Sequence, residues 1–436
     1  MKRTIWPGTI LAVFILYLAS CSRAGEPTTA PTPVTPLPPV FPTETASPLF
    51  TDTAPPPTAT TTTVVTVPLT EAINLSSPLY LLADKAVWLI HPNERVVLRL
   101  TPAEIKVTCF DVWPGDDQLA YGTDTGQIYL LRDISNQDLH NLLETEPLML
   151  FDAFPDAPYL VRIDSMSWSP DGSRLAFTVD YSTPGASLTA GYPSPPSGLW
   201  LLELLSRKAI WIESNHYLGP NQADSNLVQR LIAGSWSPDN SALLVQTYSR
   251  EGTDTLILDT LEEDNLLLDP AGDQWSFAAW RRNSQAVLLS GKHADPAHNL
   301  VQVQRNGTGP LVLVDGERDG LVIFDAVELP AGIAFMANCT GCSPDQTRLY
   351  FGHQVGSRFA YTASNIRQYC QNGAPRHIQW DDAGQSGVLD CGPGELRLLQ
   401  FEVDNLSEFD LSSYLSPLGG AEVLNIAWGA SYSPTP

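Results

Sequence analysis

The sequence predicts an all-β chain folded as a β-propeller of seven four-stranded blades, with six and eight the neighbouring counts, closed by pairing of its N- and C-terminal strands. Three observations lead there. A phrase recurs, SWSPDGSRLAF at residues 167–177 and SWSPDNSALLV at residues 235–245, with looser copies DVWPGDDQLAY from Asp111, AAWRRNSQAVLL from Ala278 and IQWDDAGQSGVL from Ile378. Taking Val112, Trp168, Trp236, Trp280, Val327, Trp380 and Trp428 as equivalents, successive copies lie 44 to 68 residues apart. A period near 45–50 residues holding about four strands is the signature of propeller blades. Finally, the intervening chain is a series of short apolar runs split by Gly, Asn, Asp and Pro, with no helix-period segment of useful length.

Residues 1–20 read as an export signal. Lys2 and Arg3 form a basic start, and TILAVFILYLA is an apolar run too short to span a bilayer comfortably. Residues 21–76 follow as an anchor and a linker. Between residues 25 and 70 there are 12 Pro and 15 Thr without periodicity. Such a composition buries too little apolar surface to offset the entropy of ordering, so an extended, disordered, polyproline-like tether is expected.

Residues 77–429 hold the propeller, and 430–436 are a tail. With strands lettered A to D from the axis outward, the recurring phrase is strand A, a tight turn and strand B. Residues 79–85, 86–91 and 95–100 supply three strands with no strand A before them. Residues 422–428, ending NIAW, supply a strand A with nothing after it. Together they complete one blade and lock the ring, which gives the count of seven.

The topology divides the surface into two faces. A–B and C–D turns share one face, where the Asp/Gly/Asn turns are formulaic and structural. B–C and D–A connections share the other, where long individual loops on a rigid scaffold are the usual seat of binding. The binding candidates are accordingly Tyr181 and Tyr192 in loop 178–198, His216 and Tyr217 in 213–229, His293 and His298 in 291–299, and Arg367, Tyr369 and Arg376 in 364–376.

Cysteines fit the same map. Cys109 lies in an apolar strand and reads as a buried free thiol. Cys339, Cys342, Cys370 and Cys391 all fall on the loop-rich face of neighbouring blades. Two disulfides suit an exported chain with one C-x-x-C better than a zinc site does, with the pairing left open. The repeated strand-A tryptophans read as blade-to-blade packing rather than a ligand cage.

No catalytic residue, resident metal or cofactor is indicated. Nucleophile-elbow, H-E-x-x-H, phosphate-loop and EF-hand patterns are absent from the sequence. With 48 Asp plus Glu against 24 Lys plus Arg, the net charge of −24 argues against nucleic acid as a partner.

Two resemblances sharpen the expectation. Leu18-Ala19-Ser20-Cys21 resembles the lipobox of bacterial lipoproteins, which implies cleavage before Cys21, a diacylglyceryl group on its thiol and a lipid anchor in the cell membrane or outer membrane, facing the extracytoplasmic side. The S-W-S-P-D-G phrase is similar to the TolB-type, WD-like propeller repeat, over roughly residues 77–429. That likeness speaks to architecture and little to function. No separate α/β domain precedes the repeats, so the partners of TolB-type proteins are not carried over. The expected function is a membrane-tethered binding module or scaffold recognising an envelope protein, peptide or glycan through the loop-rich face. The alternative is a propeller-fold hydrolase or lyase with acids at the axial channel.

Overall fold

The computed structural model describes 64–429 apart from 67–74, 76, 92–95, 114, 133, 135–144, 154–160, 182–196, 218–226, 250–252, 261–266, 269–274, 293–298, 367–368, 372–373, 403–404, 416–417 and 419–420. The chain divides into Met1–Ala54 and Pro55–Pro436, and every described residue lies in the second unit. That unit is a seven-bladed β-propeller. Its seven antiparallel sheets follow one another along the chain, and only the first also draws on the far C-terminus.

The strands A are Val107–Trp113, Val161–Trp168, Leu227–Trp236, Trp275–Trp280, Leu321–Leu329, His377–Trp380 and Val423–Trp428. The last belongs to blade 1. It pairs antiparallel with Leu79–Ala83, bringing Leu79 opposite Trp428 and Leu81 opposite Ile426. Ring closure by the C-terminal strand, and with it the count of seven, is therefore realised as the repeat pattern requires.

Seven hydrophobic clusters hold the ring, one between each pair of neighbouring blades. Blades 2 and 3 share Ile128, Phe151, Trp168 and Phe177, while blades 7 and 1 share Val388, Leu398, Leu81 and Trp428. Apolar residues on both faces of each sheet serve two interfaces at once. That is why the strands read as near-continuous apolar runs rather than a clean alternation.

The tryptophans add a directional link. The indole N–H of Trp236 donates to the Ser167 carbonyl at 3.0 Å, that of Trp280 to Ser235 at 3.0 Å, that of Trp428 to Gln379 at 2.9 Å and that of Trp168 to Asp111 at 3.2 Å. Each acceptor immediately precedes the equivalent position of the previous blade. The blade-packing reading of these residues thus holds, with a hydrogen bond added to the packing.

The phrase also explains its own turn. In blade 3, Gly172 N–H donates to Ser169 O at 2.9 Å, and Asp171 Oδ1 accepts from the Ser169 hydroxyl at 2.7 Å and the Ser173 N–H at 3.0 Å. Gly172 sits at φ 69°, and a Cβ there would come within 2.5 Å of the Trp113 ring. Left-handed geometry and close approach together select glycine. The equivalent Asn240 at φ 62° keeps the geometry and uses its side chain to accept from Asp171 N–H at 3.0 Å, tying turn to turn.

Three expectations need correction. Val64–Thr66, inside the stretch read as linker, pairs antiparallel with Val96–Arg99 and adds a fifth, outermost strand to blade 1. Its Thr-Val-Val-Thr-Val context carries β-branched residues that suit an edge, a local signal hidden by the surrounding proline. The sheet therefore begins before the boundary at residues 76 and 77. Next, His216–Tyr217 pairs with strand A of blade 4 on its axial side, so that blade also has five strands. Lastly, length does not follow the face rule strictly. The B–C turns of blades 1 and 2 are tight, whereas the C–D connection of blade 2 runs from Leu131 to Leu148 on the face read as formulaic.

Candidate functional site

The loop-rich face carries both cysteine pairs. Cys339 and Cys342 close the B–C loop of blade 6 with a Cα separation of 5.2 Å. Cys370 and Cys391 join the entry and the B–C exit of blade 7 with a Cα separation of 5.5 Å. The pairing is thus local, each bridge fastening a connection to its own blade. Cys109 is buried and free, and burial pushes its thiol up to about 12.

Beside the second bridge lies an open depression of about 420 Å³ lined by Tyr369, Cys370, Gln371, Arg397 and Glu408. Arg397 is nearly buried there and faces Glu395 at 2.8 Å, Asp410 at 3.5 Å and Glu408 at 3.7 Å. Tyr369, expected to face a ligand, is 3 % exposed and packs with Ile378 and Trp380, its hydroxyl bonded to that of Ser364. Its aromatic bulk serves the core between blades 6 and 7, so it leaves the set of solvent-facing candidates.

Arg376 is half exposed and paired with Glu422 at 2.7 Å, linking the entries of strand A in blades 7 and 1. Next to it, His377 Nδ1 lies 2.9 Å from Asp325 Oδ2, and the same carboxylate oxygen accepts from Ile378 N–H at 2.8 Å. Burial opposes the imidazolium charge, but Asp325, with Gln379 and Asp390, outweighs it and raises His377 to about 9.

The densest polar arrangement sits between blades 3 and 4, where strand A begins. Arg162 and Asp164 stand on strand A of blade 3, Asp180 ends its strand B (Arg174–Tyr181), and Arg230 stands on strand A of blade 4. Arg162 reaches Asp164 at 3.2 Å and Asp180 at 3.4 Å. Arg230 reaches Asp180 at 3.5 Å and also pairs with Asp164. The aspartates are 11 % exposed, while Arg162 and Arg230 keep 34 % and 26 %. Burial and the neighbouring Arg162 lower the Arg230 guanidinium to about 10. The quartet sets two basic side chains against two acidic ones, so its formal charges sum to zero. Tyr248, in strand B of blade 4, lies opposite Arg230 in register and is 46 % exposed.

Several sequence candidates converge on this corner by backbone position. Tyr181 pairs with Val161 beside Arg162, His216 with Gln229 and Tyr217 with Leu227. Tyr192, His293, His298 and Arg367 lie outside the described residues, as does Cys21. Sequence reading singled out none of Arg162, Asp164, Asp180, Arg230 and Tyr248: Asp180 falls within the loop read at 178–198, and the others stand on strands just outside the recurring phrase. The available signal was VRIDS, a strand with charge on alternate residues. Among the described residues, no group of three or more His, Cys, Asp or Glu is placed to hold a metal ion.

No family model matches the sequence, and no curated protein matches it. Solved structures do show likeness of shape. TolB from Acinetobacter baumannii is 11 % identical with a TM-score of 0.40, covering 82 % of this chain and 67 % of that one. A nidogen/laminin complex chain is 7 % identical with a TM-score of 0.43, covering 81 % and 99 %. An oligogalacturonate lyase in complex with manganese is 10 % identical with a TM-score of 0.48, covering 78 % and 82 %. At these identities the likeness concerns fold and not activity, and the assignment of a β-propeller stands on the seven sheets themselves.

Proposed function

We propose that the protein is a lipid-anchored, extracytoplasmic β-propeller that binds an envelope protein, peptide or glycan through its loop-rich face. The observation that carries this reading is the corner between blades 3 and 4. There, charged and aromatic groups stand on rigid strands at the face that also holds the long loops and both cysteine bridges. Its acids are engaged by arginines, an arrangement suited to recognition rather than to proton transfer. The anchor rests on the basic start, apolar run and lipobox ending at Cys21.

Two measurements test the reading. Cys21→Ala should move the protein out of the salt-washed membrane fraction, and retention there would refute the lipid anchor. The full chain in detergent should capture a partner from envelope extracts, and replacing residues 182–196 by a short turn, which leaves strand B with Asp180 and Tyr181 in place, should abolish capture. Capture that survives this replacement unchanged would refute the loop-face assignment.

A further inference from the structure

Resting on that reading, we propose that the corner between blades 3 and 4 takes a neutral sugar ring of a glycan. The charges there cancel in pairs already in contact. An incoming anion would have to displace an aspartate from its arginine, and a cation the reverse, each leaving a half-buried charge without its partner. A hydroxyl group needs neither exchange. It donates to a carboxylate edge and accepts from a guanidinium N–H, and both kinds of group have capacity beyond their mutual bonds.

Arg162 and Arg230 keep solvent-facing surface through which such bonds can form. Each vicinal hydroxyl of a pyranose is at once donor and acceptor, and the quartet sets carboxylate acceptors beside guanidinium donors. Tyr248 supplies the remaining requirement. It shares a sheet face with Arg230, because residues directly opposite in an antiparallel pair point the same way. Its exposed ring offers a flat surface to the C–H face of a sugar. The chain's charge of −24 disfavours polyanionic glycans at long range. These groups stand on strands and are fixed by one another, so little ordering entropy is lost on binding.

The test is calorimetric titration of the full chain in detergent with hexasaccharides of glucose, mannose and N-acetylglucosamine, and with hexagalacturonate as the anionic probe. At least one neutral hexasaccharide should bind, with affinity unchanged by added salt. Tyr248→Ala, a change at an exposed site, should weaken it about tenfold or more at unaltered melting temperature. Asp180→Asn, which breaks the charge balance, should weaken the neutral sugar and let hexagalacturonate bind. Absence of binding by every neutral hexasaccharide, binding of hexagalacturonate alone, or indifference to Tyr248→Ala would overturn the proposal. If envelope capture still depends on residues 182–196 while the sugars fail, the ligand class is wrong and the loop-face reading stands. If both fail, the loop-face reading falls too.

Discussion

Trp-to-Phe exchange around the ring separates the indole hydrogen bond from indole packing. Trp168, Trp236, Trp280, Trp380 and Trp428 occupy equivalent positions, and all are between 5 % and 8 % exposed. Phe removes the same apolar volume at each. Four of the five also lose an N–H donating to the preceding blade and leave a carbonyl without its partner. Trp380 differs, because its Nε1 is buried and has no acceptor among the described residues. A lost buried hydrogen bond costs about 1–3 kcal/mol, whereas removing an unpaired donor costs nothing on that account. At about 2 °C per kcal/mol for a domain of this size, Trp380→Phe should melt about 2–6 °C above the other four variants. Differential scanning calorimetry of the five variants decides it. A Trp380→Phe loss equal to the mean of the others would refute the assignment of a stabilising role to the blade-to-blade bond.

Ending the chain at Gly420 should leave no cooperatively folded domain. Val423, Ile426, Ala427 and Trp428 are buried between blades, and burying each large side chain contributes about 1.5–3 kcal/mol, so the total rivals the stability of a typical domain. A truncated chain with unchanged melting would refute closure by this strand. His377→Gln should change stability with pH in a defined direction. The native pKa of about 9 exceeds the ordinary 6.5, so the His377–Asp325 stabilisation is complete below pH 6.5 and lost as pH rises through 9. The variant should therefore be less stable than the parent in weak acid and equal to it well above pH 9, and a difference independent of pH in urea titrations would count against this pairing.

The architecture was legible because its cause is local and repeated. Each S-W-S-P-D-G phrase encodes a left-handed turn residue, a turn-forming aspartate and a buried tryptophan, and repetition turned those local facts into a blade count. The orphan strand ending at Trp428 pointed to closure for the same reason, since an unpaired strand and an incomplete blade satisfy each other's backbone. The candidate site was less legible. Arg162 and Arg230 are separated by a whole blade in sequence, and only the stacking of blade on blade sets both against the same two aspartates. Tyr369, expected to face a ligand, is covered, and Tyr248, not singled out in the sequence, is exposed, for a related reason. Exposure depends on which neighbouring blade covers a side chain, and a loop tyrosine is covered while a strand tyrosine at the rim of the face is not. Periodicity within the chain determined the fold, whereas contacts between blades, which no single repeat encodes, decided where its charges meet.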